Sequence, residues 1–135
     1  MSDNPLELRA SGVTMDCADV TRMADFWQVA LGFRTRAGDE RTAVTLSDAA
    51  QPRVMNHLTL QKVPEPKTAK HRVHLDLFPA DGQRARDRLV ELGATVLREP
   101  ASDDPGHFGF QAIVMQDPEG GEFCLVIRPP KAEQG

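Results

Sequence analysis

The sequence contains the same short pattern twice, and this repeat limits the possible folds more than any other feature. Each copy has a strand-like segment, an aspartate suited to cap a helix, a helical stretch and a glycine suited to end it. The aspartate and glycine are Asp19 and Gly32 in the first copy, and Asp81 and Gly93 in the second. Apolar residues in both stretches fall three or four positions apart, as on one face of a helix. We therefore predict two copies of one module; the alternative is two unrelated strand–helix units.

Strand-like segments separated by turn residues follow each predicted helix. The predicted strands are 12–17, 33–37, 42–47 and 55–63 in the first copy, and 73–78, 94–99, 109–116 and 122–128 in the second. Each copy therefore has the element order βαβββ, which predicts an α+β fold of two tandem modules.

The joint between the copies carries Pro64 and Pro66, which lack backbone donors and favour an extended crossover. A module of roughly 60 residues with one helix would be marginal by itself. We therefore predict a single domain over residues 1–135, with module one at about 8–63, a linker at 64–71 and module two at about 72–129.

Composition excludes several classes of function. Hydrophobic residues make up 40% and charged residues 27%, as in an ordinary globular domain. A net charge of −4 argues against nucleic-acid binding, and no apolar run approaches the ~18 residues of a membrane span. The N-terminus lacks the pattern of a secretion signal. The two cysteines, Cys17 and Cys124, do not form a disulfide framework, so we expect free thiols in a reducing cytoplasm.

Alternation along the strands assigns side chains to two faces of each sheet. The face predicted to pack under the helices carries Val13, Met15, Cys17, Leu58, Leu60, Val73, Leu75, Leu77, Phe123, Leu125 and Ile127. The opposite face is polar and carries Thr14, Asp16, Thr59, Gln61, His74, Asp76, Glu122 and Cys124. The simplest interpretation of this polar set is the solvated face of a sheet, and the alternative is the lining of a cleft.

Several segments, in this order, resemble the vicinal oxygen chelate superfamily. They are Asp16–Asp19, Phe26–Trp27, Leu31–Phe33, Val63–Lys67, His74–Leu77, Leu92–Ala94 and Asp117–Phe123. That superfamily includes glyoxalase I, extradiol dioxygenases, fosfomycin-resistance enzymes and bleomycin-binding proteins, and the set looks most like its glyoxalase-like domains. The resemblance covers about residues 10–128. It implies a curved mixed sheet around a cleft, helices on the outer face, a small-molecule ligand and a homodimer.

The resemblance also implies which positions would bind a metal. In metal-dependent relatives the ligands come from the first and last strands of each module, and those positions fall here on Gly12, Gln61, His74 and Cys124. Only His74 matches well, because Gly12 has no side chain to donate and Cys124 replaces the usual carboxylate. We therefore expect no cofactor; a divalent metal, if present, would be bound by His74 with Gln61 and with Glu122 or Cys124.

Two functions follow from the resemblance. The first is a lyase or isomerase, or a dioxygenase-like enzyme, acting on a small carbonyl or oxygenated substrate. Glyoxalase-type chemistry needs a base and a cation. His74, Asp76 and Glu122 are the catalytic candidates, with Asp16 as a further possible base. Because the cation is the missing part, we do not expect true glyoxalase I activity.

The second function is a metal-free drug- or metabolite-binding protein, as in bleomycin resistance. Such proteins stack aromatic side chains on the ligand, and the candidates here are Phe78, Phe108 and Phe110. The helical Phe26 and Trp27 are expected to pack in the core instead. Thr14, Asp16, Thr59, Gln61 and Cys124 complete the predicted ligand-binding set, whose carboxylates favour a cationic ligand.

Overall fold

The computed structural model describes residues 5–8, 10–48, 56–100 and 111–127. Its elements, in chain order, are β1 Gly12–Cys17, α1 Val20–Leu31, β2 Thr35–Asp39, β3 Ala43–Ser47, β4 His57–Lys62, β5 Leu75–Leu77, α2 Gly82–Glu91, β6 Thr95–Arg98, β7 Gln111–Gln116 and β8 Glu122–Ile127. This order is βαβββ twice, so the predicted α+β fold of two tandem modules is confirmed. No helix in the described part of the chain is long and apolar enough to span a membrane.

The chain forms two compact units, Met1–Pro66 and Lys67–Gly135. The first holds a four-stranded sheet in the order β1-β4-β3-β2, and the second a sheet in the order β5-β8-β7-β6. In both sheets the first strand pairs in parallel with the last strand, and the other pairings are antiparallel. That the two modules make a single domain around a shared cleft stays a prediction.

The first helix begins and ends at the predicted residues. The Asp19 carboxylate accepts a hydrogen bond from the backbone N–H of Arg22 (3.0 Å), which satisfies one free donor of the first turn. Gly32 ends the helix in the left-handed conformation, with φ of 68°. The helix buries Val20, Met23, Ala24, Phe26 and Trp27. The core role predicted for the two aromatic residues is therefore confirmed, and their rings pack edge to face at 5.1 Å.

The second helix is a weaker copy of the first. Its Asp81 cap accepts from the backbone N–H of Arg84 (3.1 Å), and Gly93, just after the helix, has the predicted positive φ of 114°. Leu89 is the buried residue of this helix. The α2 helix therefore shares the geometry of α1, with much less apolar burial against its sheet.

Two strand predictions need correction. The strand predicted at 33–37 begins and ends two residues later, at Thr35–Asp39. The segment 73–78 was expected to be a full strand with Val73 under the helix, but β5 covers only Leu75–Leu77 and Val73 is 77% exposed. The parallel ladder to β8 runs only from the Leu75–Phe123 pair to the Leu77–Leu125 pair. Alternation assigns faces only where the backbone is held in a ladder, so it does not extend to Val73.

Candidate functional site

One row of side chains crosses the second sheet on the face opposite its buried core. Asp76 in β5 pairs with Cys124 in β8, Cys124 pairs with Val114 in β7, and Val114 pairs with Arg98 in β6. Directly paired residues project to the same side of a sheet. The row therefore places a carboxylate, a thiol and a guanidinium on one surface.

His74 lies just before β5 and joins this surface. Its Nε2 is 3.2 Å from Oδ1 of Asp76, and potential donor atoms of His74, Asp76 and Cys124 all lie within 4.8 Å of one another. We call these three residues the His–Asp–Cys cluster. The His74 and Asp76 side chains are 41% and 56% exposed, while Cys124 is half-buried. The cluster is therefore reachable from solvent, with its thiol at the most sheltered position.

The surroundings of Cys124 raise the pKa of its thiol. Burial raises the pKa of the Cys124 thiol, and the Asp76 carboxylate raises it further. The positive charges of Lys70 and Arg98 act in the opposite direction without cancelling the rise. The thiol is therefore neutral at physiological pH as long as no cation binds it.

Sequence reasoning did not identify Lys70 and Arg98 as neighbours of the cluster. The position of Arg98 depends on a register shift between Val96 and Arg98, which leaves Leu97 outside the ladder and 55% exposed. A β-bulge of this kind reverses the expected face of every residue beyond it. The one sequence signal that Lys70 is a neighbour of the cluster is the basic character of the segment before His74.

Glu122 shares the strand of Cys124, but its carboxylate is engaged elsewhere. Oε2 accepts a hydrogen bond from Nζ of Lys67 (2.9 Å), and Oε1 accepts one from the backbone N–H of His71 (2.9 Å). Burial raises the pKa of this carboxyl, but the hydrogen bonds from His71 and Lys67 together outweigh it and lower the pKa to about 2. With its side chain only 8% exposed, Glu122 acts as an anchor for segment 67–71.

The first-module candidates lie together on the corresponding face of the first sheet. Thr14 pairs with Thr59, Asp16 pairs with Gln61, and the Thr59 hydroxyl is 2.8 Å from that of Thr45. This surface is lined by hydroxyl and amide groups, with one carboxylate among the four predicted residues.

Gly12, the first-module counterpart of His74, has no room for a side chain. It pairs with His57, and a Cβ added at Gly12 would lie 2.7 Å from the His57 carbonyl oxygen. The glycine is therefore required by the close approach of the two strands, and this position supplies no ligand atom.

One of the three aromatic candidates for ligand binding lies in the described residues. Phe78 follows β5 and is 70% exposed. Phe108 and Phe110 lie outside the described residues.

The His–Asp–Cys cluster is the one group of three or more potential metal ligands in the described ranges. Imidazole nitrogen, carboxylate oxygen and thiolate sulfur are all ligands of zinc, whereas magnesium and calcium prefer oxygen ligands throughout. The residues present therefore fit a zinc-like ion. Cys124 and Glu122 were both predicted as metal ligands alongside His74. The structure places Cys124 beside His74, whereas Glu122 is bound to Lys67.

Comparison with known proteins agrees with this architecture. The family model described as a glyoxalase-like domain matches residues 12–126. No curated protein sequence matches the chain.

Solved structures of the same fold are similar over almost the whole chain. A glyoxalase/bleomycin resistance protein/dioxygenase superfamily member from Sphaerobacter thermophilus is 21% identical with a TM-score of 0.64, covering 91% of this chain and 99% of its own. A glyoxalase/bleomycin resistance protein/dioxygenase family enzyme from Burkholderia phytofirmans is 19% identical with a TM-score of 0.63, and the match covers 90% of this chain and 100% of that enzyme. The fosfomycin resistance protein FosX from Mesorhizobium loti is 17% identical with a TM-score of 0.63, and the match covers 93% of this chain and 96% of FosX. The chain belongs to the glyoxalase-like domain family, within the vicinal oxygen chelate superfamily.

Proposed function

We propose that this chain binds a small, oxygen-bearing molecule at the His–Asp–Cys cluster and acts on it as a lyase or isomerase. The observation that carries the proposal is the convergence of three reactive side chains within 4.8 Å on a sheet surface. Membership of a superfamily whose members bind small molecules supports a metabolite-sized ligand. The fold alone does not determine the reaction, so the argument rests on the groups in the cluster.

Asp76 is the proposed base. Its carboxylate is exposed enough to meet a substrate, and His74 Nε2, 3.2 Å away, is placed to share the proton that it accepts. In an isomerisation, the proton on a carbon next to a carbonyl moves to Asp76, and the electron pair of that C–H bond moves towards the carbonyl oxygen. The proton then returns at the former carbonyl carbon, while the hydroxyl on the first carbon gives its proton to the former carbonyl oxygen and becomes the new carbonyl. Lys70 and Arg98 supply positive charge near the anion that forms in between.

Members of this superfamily often use a divalent metal. Such an ion, when bound, supplies a Lewis acid that polarises a carbonyl oxygen. In this chain His74 and Cys124, with Asp76, are the residues that would hold it.

Proton exchange tests this proposal without knowledge of the substrate. Incubation of a panel of small α-hydroxycarbonyl compounds with the protein in D₂O, followed by NMR, detects exchange of the proton next to the carbonyl. We expect exchange with at least one compound and a loss of roughly 10²–10⁴-fold in Asp76→Asn. Asp87→Asn, an exposed carboxylate on α2, is the matched control. Exchange that survives in Asp76→Asn, or that occurs with no compound in the panel, contradicts the proposal.

A second candidate is metal-free binding of a cationic drug or metabolite. It is favoured by the position of Phe78, which is 70% exposed and lies two residues after Asp76. An aromatic face and a carboxylate together can bind an organic cation. Calorimetric titration with cationic antibiotics would show binding that is weakened in both Phe78→Ala and Asp76→Asn, and no proton exchange.

We also infer a homodimer in a reducing cytoplasm. Superfamily members often form dimers, and both cysteines of this chain are free thiols. Light scattering of the purified protein and fractionation of cells test these two expectations.

A further inference from the structure

We propose that Lys70 and Arg98 form a binding site for an oxyanionic group, a carboxylate or a phosphate, and that the substrate of this chain is a small anion. The inference deepens the proposed function and rests on it for the position of the reacting carbon at Asp76. Neither cation belongs to the His–Asp–Cys cluster. The two cations hold a charge that the substrate carries permanently, in addition to stabilising the transient charge on its carbonyl oxygen.

The ladder places Arg98 on the reactive surface of the second sheet. Arg98 pairs with Val114, Val114 with Cys124, and Cys124 with Asp76. Neighbouring strands lie about 4.8 Å apart, which puts the Cα of Arg98 roughly 10 Å from that of Cys124 and roughly 14 Å from that of Asp76. An arginine side chain is long enough to lay its apolar stem over Val114 and hold its guanidinium towards Cys124. A molecule of a few carbon atoms can therefore meet Asp76 and this guanidinium at the same time.

Lys70 approaches the same surface from another direction. Its segment, 67–71, is held against the first residue of β8, because Glu122 accepts a hydrogen bond from the His71 backbone N–H (2.9 Å). Glu122 lies two residues before Cys124 on the same face of that strand. The anchor at His71 therefore fixes the neighbouring Lys70 at the end of the sheet where β8 begins. An anion bound over Cys124 has Lys70 on this side and the arginine on the side of β6.

Both cations lack a protein anion to neutralise them. Neither Lys70 nor Arg98 has a hydrogen bond or an ion pair with another residue in the described ranges. The carboxylate next to Arg98, Glu99, is 3.0 Å from Nε of Arg86 on α2, and Glu122 is bound to segment 67–71. Two positive charges on one surface without such partners attract an anion from solution.

The charges on the surface also orient the anion. The Asp76 carboxylate repels an anionic group, so this group lies on the Cys124 side of the substrate and the reacting carbon lies at Asp76. The neutral Cys124 thiol adds no negative charge between the two cations. A guanidinium binds two oxygens of a carboxylate or a phosphate through its planar fork, and an ammonium adds a compact charge. Because the whole chain carries a net charge of −4, binding of an anion requires a local site of this kind.

Alkylation of Cys124 by two reagents of different charge measures the local field. Iodoacetate is an anion and iodoacetamide is neutral, and both react with the same thiolate, so the ratio of their rates does not depend on the thiolate fraction. Mass spectrometry distinguishes the Cys124 peptide from that of the buried Cys17. We expect Lys70→Gln and Arg98→Gln each to lower the ratio of the iodoacetate rate to the iodoacetamide rate roughly two- to fivefold at low salt. Arg84→Gln, at an exposed position on α2, is the matched control and should keep the wild-type ratio.

Protection from iodoacetamide tests for a site rather than a diffuse field. The probes are inorganic phosphate and acetate, one for each kind of oxyanion, with chloride at equal ionic strength as the reference. We expect saturable protection of Cys124 by the oxyanion that matches the site, and the better protector identifies the substrate as a phosphate ester or a carboxylate. Arg98→Lys keeps the charge but loses the fork, so it should need roughly tenfold more of that anion. Circular dichroism verifies that each variant is folded.

Three results would overturn the proposal. They are protection by both oxyanions no better than that by chloride, wild-type protection in Arg98→Lys, and a wild-type rate ratio in both Lys70→Gln and Arg98→Gln.

The outcome is separable from that of the proposed function. Alkylation and protection need no turnover, so they report on the anion site even if no compound exchanges its proton. In D₂O, the phosphate esters and carboxylates of the α-hydroxycarbonyl panel should exchange faster than their uncharged parent compounds. Exchange confined to the uncharged compounds would contradict the anionic substrate and leave Asp76 as the base.

Discussion

Asp117 is a buried residue that organises the turn between β7 and β8. Its Oδ1 accepts hydrogen bonds from the backbone N–H groups of Glu119 (2.9 Å) and Gly121 (2.8 Å), and its exposure is 4%. A Cβ at Gly121 would lie 2.5 Å from the other carboxylate oxygen. We expect Gly121→Ala to lower the free energy of unfolding by about 1–3 kcal/mol, because the carboxylate must move and its hydrogen bonds weaken.

Urea denaturation measures this effect, with Glu91→Ala as the control. The Glu91 side chain is 67% exposed, so its loss should change the free energy of unfolding by no more than about 0.5 kcal/mol. Equal stability of Gly121→Ala and the wild type would show that the turn does not need the glycine.

Sequence alternation predicted which residues share a face, but it could not identify their partners. Cys124 and Asp76 were expected on one surface, and their pairing in the ladder places them there. Glu122 was expected on that surface too, but its carboxylate is bound by Lys67, which lies 55 residues earlier in the chain. Long-range contacts of this kind leave no periodic signal in the sequence. The bulge that positions Arg98 is equally invisible, because it depends on how two strands pair.

Segment 67–71 is held to the second sheet by one carboxylate. Glu122 is nearly buried and accepts from Lys67 and from the His71 backbone. Removing it leaves the His71 N–H without this acceptor and leaves the Lys67 ammonium with the Ala69 carbonyl oxygen (2.7 Å). We expect Glu122→Ala to lower the free energy of unfolding by about 2 kcal/mol. We also expect faster hydrogen exchange at the His71 amide, which a general loss of stability would not single out.

Glu91→Ala provides the comparison for Glu122→Ala. The Glu91 side chain is 67% exposed and 3.7 Å from Arg88, so its loss should cost less than about 0.5 kcal/mol. If Glu122→Ala is as mild as this control and His71 exchange is unchanged, the anchoring role is wrong.

The two helices differ in how firmly they are held. The α1 helix buries five residues, including Phe26 and Trp27, whereas Leu89 is the buried residue of α2. Local opening costs less where less apolar surface is released. We therefore expect amide protons of α2 to exchange faster than those of α1. Leu89→Ala should remove most of the remaining protection of α2, while Val90→Ala, at a 45% exposed position, should not. Similar exchange in both wild-type helices would contradict this expectation.

The elements were largely predictable because local signals specify them. Asp19 and Asp81 both cap helices as expected, and residues 57–62 form a strand within the predicted segment. The short length of β5 was not predictable from the sequence. Apolar and polar residues alternate around Val73 just as they do in a longer strand. Its length is set by the number of residues that find partners in β8.

At the scale of the whole molecule, the repeat and the family membership describe architecture, while the chemistry differs between the copies. Gly12 leaves the first module without a donor at the position where the second has His74. The first sheet presents mainly hydroxyl groups, as at the Thr45–Thr59 contact. The second presents imidazole, carboxylate and thiol groups together. The two modules therefore share a fold but not a binding chemistry, and the reactive groups are concentrated in the second.

This asymmetry predicts how metal affects the stability of the whole protein. An ion that binds only the native state stabilises it by RT ln(1 + [L]/Kd), about 2.7 kcal/mol at a hundredfold excess over Kd. We expect zinc at that excess to raise the unfolding midpoint of the wild type. The increment should be equal in Cys17→Ala, because Cys17 is not a ligand even though its loss lowers the starting stability. It should disappear in Cys124→Ala, which keeps Asp76 and His74 but lacks the thiolate. A thermal denaturation series with and without zinc measures the three increments, and an increment that survives in Cys124→Ala would place the stabilising ion elsewhere in the chain.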